Sequence, residues 1–314
     1  MVQRGGLALN GLRERLRLAQ PTDLIFQAYV GFSGLVILLF GWKLSIGLWV
    51  GLILSHVALL AVGLWWASQP LRDRSLAGFL RDVYPLLFIL FLYWELRYLA
   101  LLFNDGYHDS RILGWEEALF GEQLAMTLSA RFPYLWLSEL MHFFYALYFL
   151  LLPLAAVLLY LRGRLQGFRE FVYVELVVLF ACYVVYMFYP VAGPHYEFPR
   201  IGGALAGGTF YQLVHWVLKD GGSMGAAFPS AHVAVAVAIL LVSWRHDRVV
   251  WAVMLPLVVG LTIGTVYGRF HYGIDALGGV MAAFLLVAAA RALRPWLEGF
   301  SLAAPGNSVK ASPV

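Results

Sequence analysis

Residues 249–294 read VVWAVMLPLVVGLTIGTVYGRFHYGIDALGGVMAAFLLVAAARALR. Two apolar runs, 249–267 and 272–294, each come close to the roughly 20 residues needed to cross the hydrocarbon core of a bilayer. Between Val249 and Ala290 the only Asp, Glu, Lys or Arg residues are Arg269 and Asp275, and both lie at the junction of the two runs, beside His271. Ionisable groups at such a junction are costly unless paired or functional. The stretch therefore predicts a helical hairpin in lipid and marks its turn as a chemical site.

The rest of the chain has the same character. Of 314 residues, 61% are hydrophobic and 13% are charged, whereas about one quarter are charged in an ordinary soluble domain. Further apolar runs at 23–42, 45–67, 83–103, 134–161, 170–190 and 228–244 bring the expectation to about eight crossings. The fold class is an all-α integral membrane protein, a polytopic helical bundle. Residues 1–22 read as an N-terminal lead-in, 23–82 as two additional helices, 83–294 as the main bundle and 295–314 as a tail, its end from Ala303 mobile.

Arg4, Arg13, Arg15, Arg17, Arg72, Arg74, Arg81, Arg162, Arg164, Arg169, Arg245, Arg248, Arg291, Arg294 and Lys310 fall on one side of this topology. Only Lys43, Arg111, Arg131, Arg200, Lys219 and Arg269 fall on the other. The positive-inside rule puts the richer side and both termini in the cytoplasm. Nucleic acid is not expected as a partner despite the net charge of +4, because the cations sit in short clusters between spans. The single cysteine, Cys182, excludes an intrachain disulfide and a cysteine-based metal site. Two outer segments, 104–133 and 191–227, are long, and both share a side with the histidine motifs. Within the second, Phe210, Leu213, Val214, Val217 and Leu218 recur at helical spacing, which predicts a short interfacial helix that could roof a lipid-entry site.

The chemistry concentrates in GGSMGAAFPSAHVAVAVA, starting at Gly221, and TVYGRFHYGIDALGGV, starting at Thr265. Small residues before Pro229 and Ser230 let the backbone approach a ligand, and the free amides of the helix that follows suit a phosphate. His232 then stands in the first helical turn. His271 and Asp275 are one turn apart, close enough for the carboxylate to orient the imidazole, and Arg269 is placed to pair with phosphate. One imidazole can attack phosphorus while the other protonates the departing oxygen, so the candidate catalytic residues are His232, His271 and Asp275. The plainer alternative for each motif alone is an interfacial or structural histidine.

FPSAH and HYGID resemble the central Pro-Ser-Gly-His and final His-x3-Asp motifs of the type 2 phosphatidic acid phosphatase superfamily. With Thr265 where that family carries an arginine, the final motif is more similar to His-Tyr-x2-Asp of the inositol phosphorylceramide synthase and sphingomyelin synthase branch. GPHYEF at 193–198 and EEALFG at 116–121 also resemble loops of that branch, although a solvated acidic face explains the latter as well. The resemblance covers about residues 134–294. It implies a six-helix core within the bundle, a phosphohistidine formed on His271, Asp275 as its orienting partner, and His232 as general acid and then base. It implies no cofactor. The family's Lys-x6-Arg-Pro phosphate clamp is absent, and His195, Tyr196 and Arg200 are candidates to replace it.

Expected substrates are a phospholipid or lipid phosphate, with a polyol such as inositol as acceptor in a head-group transferase and water in a phosphatase. The substrate-binding candidates are Ser230, Arg269, His195, Tyr196, Arg200, Glu139 and His142. Glu139 and His142, like Glu95 and Arg97, read first as structural pairs inside spans and second as a head-group pocket. No zinc-type spacing occurs, so no metal is expected. A proton-coupled lipid transporter relaying through Glu95, Glu139, His142 and Asp275 is the rival from another class. It fits less well, because alternating access needs a midplane site. The active site is expected on the exoplasmic side.

Overall fold

The computed structural model describes residues 18–69 and 75–302. Most of the lead-in and the tail from Ala303 lie outside the described residues. The chain divides into two compact units, Met1–Pro85 with Ala289–Val314, and Leu86–Ala288.

In the first unit, α1 (Pro21–Phe40) and α2 (Ile46–Ala67) pack as a hairpin. Pro21 opens α1, where its missing N–H costs nothing, and Asp23 returns a carboxylate to the Gln20 amide at 2.7 Å. The same carboxylate takes two hydrogen bonds from Arg81, at 2.9 and 2.6 Å, and one from the Tyr84 hydroxyl at 2.8 Å. This buried network fastens the short α3 (Leu76–Val83) to the hairpin.

The regular secondary structure of the second unit is helical, with one isolated parallel bridge, Val191 to Ala226, between its loops. Its elements are α4 (Ile89–Trp94), α5 (Leu96–Leu99), α6 (Asp109–Phe120), α7 (Leu124–Arg131), α8 (Leu135–Ala146), α9 (Tyr148–Leu161), α10 (Leu165–Phe188), α11 (Pro194–Glu197), α12 (Thr209–Gly221), α13 (Ala231–His246) and α14 (Arg248–Tyr267). α15 (Gly273–Leu302) begins in this unit. α13 packs between α10 and α14, and α14 also packs on α8. α10 is the most deeply buried of the candidate spans, which accounts for its unbroken apolar run from Leu176 to Phe188.

Six helical stretches among the described residues are long and apolar enough to span a bilayer: Pro21–Lys43, Ile46–Ala67, Leu76–Leu99, Leu165–Phe188, Arg248–Tyr267 and Gly273–Gly299. The protein is thus an all-α multi-pass membrane protein. Two of the eight expected crossings take other forms. The run at 134–161 is the pair α8 and α9, bent by 53° at Leu147. Pro153 leaves the Phe149 carbonyl without its helical donor, so the helix is weakest within about a turn of that break. The run at 228–244 is the 16-residue α13, about 24 Å long at 1.5 Å per residue. Its first expected residues instead form the turn that carries the Pro-Ser pair. The predicted helix at 210–218 is α12, with Tyr211 and Val214 buried and Leu213 and Trp216 exposed.

Candidate active site

Ser230 starts α13 by accepting the Val233 amide on its hydroxyl at 3.3 Å. Tyr186 on α10 holds the same turn from below, donating its hydroxyl to the Pro229 carbonyl at 2.6 Å and accepting the Ala231 amide at 3.0 Å. The Ser230 amide donates to the Asp275 carbonyl at 3.0 Å. Such an approach of α15 requires Gly279, because a Cβ there would lie 2.6 Å from the Ser230 carbonyl oxygen. These bonds also correct an expectation. The amides of Ala231, Val233 and Ala234 are engaged within the protein, as buried N–H groups must be, and are not open to a phosphate.

The second motif is shaped by the turn after α14. The Thr265 carbonyl accepts the amides of both Phe270 and His271 at 3.0 Å, and Arg269 takes the left-handed φ of 60° that reverses the chain. His271 is therefore presented just ahead of α15, with Asp275 in the first turn of that helix. Asp275 Oδ2 accepts the Tyr272 amide at 2.8 Å and stands 3.5 Å from His271 Nδ1. His271 Nε2 lies 3.2 Å from His232 Nδ1. A carboxylate behind Nδ1 favours the tautomer protonated there. In that tautomer Nε2 carries the free lone pair, to which a proton on His232 Nδ1 would be donated. Burial lowers the His271 imidazole to about 4, the nearby Ala227 backbone offsetting part of the effect. The ring is consequently neutral and nucleophilic at pH 7.

Among the described residues, neither His271 Nδ1 nor Asp275 Oδ1 has a hydrogen-bond partner. The 3.5 Å separation is longer than a hydrogen bond, and catalytic bonds of this kind tighten when substrate binds. Tyr148 and Tyr145 lie against the His232 ring, with centroids 4.2 and 5.3 Å away, and Phe270 stacks on Tyr145 at 3.9 Å. The two histidines open on a cleft of about 40 Å³ whose other walls include Tyr93, His195, Tyr196 and Ser223. One water needs roughly 10–15 Å³, so the cleft holds a phosphoryl-sized group. An apolar cavity of about 110 Å³ adjoins it through Tyr145 and Leu218, lined also by Phe149, Leu213, Val214 and Val217. It lies between the bent α8–α9 pair and α12.

Two buried carboxylates brace the site. Asp109 accepts the amides of Ala192 and Gly193 at 2.7 and 2.8 Å and the Tyr272 hydroxyl at 2.9 Å. Burial, reinforced by Asp109, pushes that phenol well up. Glu116 is fully buried, not solvated, and its two oxygens accept the first amides of α7 and α15, from Leu124 and Ile274, at 2.9 Å each.

The other expected residues are distributed as follows. His195 and Tyr196 line the cleft, and burial together with Arg200 and His215 lowers His195 to about 4. Arg200 is exposed on the adjoining loop. Arg269 turns away, donating to the Pro199 carbonyl at 2.6 Å and the Ser129 hydroxyl at 3.2 Å. Glu139 caps α12 through the Phe210 and Tyr211 amides at 3.0 and 3.1 Å. His142 is buried, with Nδ1 2.6 Å from the Ser138 carbonyl and its ring 5.6 Å from Phe270.

Residues that sequence reasoning did not single out are Tyr186, Asp109 and Ser223. The buried Ser223 hydroxyl has no partner among the described residues and sits on the cleft. Arg97, expected in a head-group pocket or in a structural pair, donates to the Gly222 carbonyl at the cleft wall at 2.7 Å. No cluster of three or more His, Cys, Asp or Glu among the described residues could hold a metal.

Comparison with known proteins gives no match among curated proteins and none among solved structures. A family model described as the PAP2 superfamily matches residues 110–289. That stretch is more than half of the chain, and it contains the Pro-Ser-Ala-His turn, the His-Tyr-Gly-Ile-Asp run and the helices that bring them together. The chain belongs to the PAP2 superfamily.

Proposed function

We propose that the protein cleaves a lipid phosphoester or phosphodiester through a covalent phosphohistidine on His271. The observation that carries this reading is the 3.2 Å contact of two imidazoles with Asp275 behind the first. Membership of the PAP2 superfamily supports a phosphatase-type enzyme acting on phosphate esters. The adjoining apolar cavity supports a lipid rather than a wholly polar ester.

Catalysis then runs in two displacements. As substrate enters, its phosphoryl group separates the rings. His271 Nε2 attacks phosphorus, the bond from phosphorus to the lipid oxygen breaks, and His232, protonated beside the anionic substrate, gives that oxygen its proton and becomes neutral. In the second step His232 takes a proton from the acceptor, the acceptor oxygen attacks phosphorus, and the phosphorus–nitrogen bond breaks to restore His271. Arg97, Arg200 and the Ser223 hydroxyl are the groups proposed to stabilise the charge developing on the phosphoryl oxygens.

Tyr272 after the histidine and Thr265 in place of the family's arginine favour transfer to an alcohol such as inositol or another polyol. Hydrolysis needs only that water reach the cleft that His232 and His271 line. Purified enzyme incubated with labelled phospholipids and lipid phosphates, with and without polyols, distinguishes the two. A new diester identifies a transferase; free phosphate from a lipid phosphate, or a phosphorylated head group from a phospholipid diester, identifies hydrolysis. No phosphorus-containing product from any lipid donor would overturn the proposal.

A further inference from the structure

α13 carries a second concentration of charge at the end opposite His232. His246 is 14 residues further along, about 21 Å at 1.5 Å per residue. There Asp247 caps α14, accepting the Val249 and Val250 amides on Oδ1 at 2.9 and 3.1 Å. Its Oδ2 takes Arg162 Nε at 2.8 Å and Arg164 Nε at 3.1 Å. His246 is engaged with Glu170 at 2.7 Å, and the Arg248 guanidinium lies 3.1 Å over the Trp244 ring. A pocket of about 290 Å³ is lined by Arg162, Arg164, Arg245, Arg248, Trp244 and Asp247 among others.

Four arginines thus share one cavity with one carboxylate, and every Asp247 oxygen is already engaged. Among the described residues no carboxylate pairs with Arg245 or Arg248. A guanidinium fork matches phosphate oxygens in pairs. The pocket lies where α9, α10, α13 and α14 end, at the level where apolar spans give way to water. Trp244 and Val249 are both about half exposed beside it, as expected of groups facing the head-group and upper acyl region. Basic loops that only set topology need not converge on one cavity. Basic pockets between spans, by contrast, bind lipid head groups.

We infer that this pocket binds the phosphate of an anionic phospholipid in the leaflet opposite the catalytic histidines. The inference rests on the membrane fold and not on the phosphohistidine chemistry, so the two fail independently. The full chain, purified and delipidated, is titrated with phosphatidylglycerol and with phosphatidylcholine of the same acyl chains, and bound lipids are resolved by native mass spectrometry. Inorganic phosphate is the soluble control, read as a thermal shift.

The expected result is preferential binding of phosphatidylglycerol, weakened about tenfold or more in Arg245→Gln/Arg248→Gln and measurably in Arg245→Lys/Arg248→Lys, because lysine keeps the charge but loses the fork. Turnover at the distant catalytic site stays unchanged in detergent. Equal binding of phosphatidylglycerol by wild type and the glutamine pair would overturn the inference. Wild-type affinity in the lysine pair would overturn it too, by reducing the site to bulk charge. Stabilisation by inorganic phosphate equal to that by the lipid would overturn the lipid assignment. If the glutamine pair does not fold, the lysine pair decides.

Discussion

His271 offers one ring nitrogen to His232 and turns the other toward Asp275, so the three side chains are predicted to fail differently when altered. His271→Ala removes the proposed nucleophile and is expected to lower single-turnover rates by about 10⁴-fold or more. His232→Ala removes proton transfer alone and costs roughly 10²–10⁴-fold. Asp275→Asn keeps the shape but not the charge and falls between partial and severe loss. Rapid-quench assays on folded, extractable variants check this order, and near-wild-type turnover in either histidine variant contradicts it. Burial holds His271 near 4, below the ordinary 6.5 of the unfolded chain. The unfolded state therefore binds the extra proton first, and stability declines as pH falls from about 6.5 towards 4. The acid limb of kcat/KM should accordingly have its midpoint near 4; a midpoint at 6.5 would show the imidazole exposed. At this scale the Pro-Ser-Ala-His and His-Tyr-Gly-Ile-Asp runs were legible because their spacing is local. The direction of Arg269 was not, since it follows from a left-handed turn that swings the guanidinium to Pro199 and Ser129. Tyr186 and Asp109 act on backbone 43 and 83 residues away, a distance at which sequence gives no signal.

α12 shows how an amphipathic pattern becomes the wall of an apolar cavity. Its apolar spacing was readable, but the partner that orients it was not: Glu139, on α8, caps its first amides. The break at Leu147 then opens the 110 Å³ cavity between α12 and the bent pair. If a hydrocarbon chain occupies that space, Val217→Trp should fill it. Turnover of long-chain lipid phosphates is then expected to fall about tenfold, while a short-chain, water-soluble phosphate ester keeps near-wild-type kcat/KM, as a clash confined to the chain predicts. Parallel assays on the two substrates check this. Equal losses on both would show that the substitution disturbs the cleft itself and that the cavity is not a chain site. The same element scale explains why EEALFG could be taken for a solvated face: Glu116 is a carboxylate in an acidic stretch, yet it is buried because two helix starts converge on it.

Across the whole molecule, hydropathy alone revealed the class, since runs near 20 apolar residues have few fates other than lipid. It could not tell a straight span from the bent α8–α9 pair, nor foresee that α13 is only 16 residues long, because both depend on what the neighbouring helices contribute. The distribution of arginines predicts opposite sides for the two ends of α13. In a Cys182→Ala background, a cysteine at Arg200 should react with a membrane-impermeant thiol reagent from outside intact cells. One at Arg245 should react only after permeabilisation, and labelling of both from the same side would contradict the topology. All of this architecture converges on one nitrogen. The most direct test is to quench the enzyme during turnover of a phosphorus-labelled lipid donor and map the label by mass spectrometry. The account predicts an acid-labile, base-stable phosphohistidine at His271, absent from His271→Ala; label on another residue, or label that persists in that variant, would contradict it.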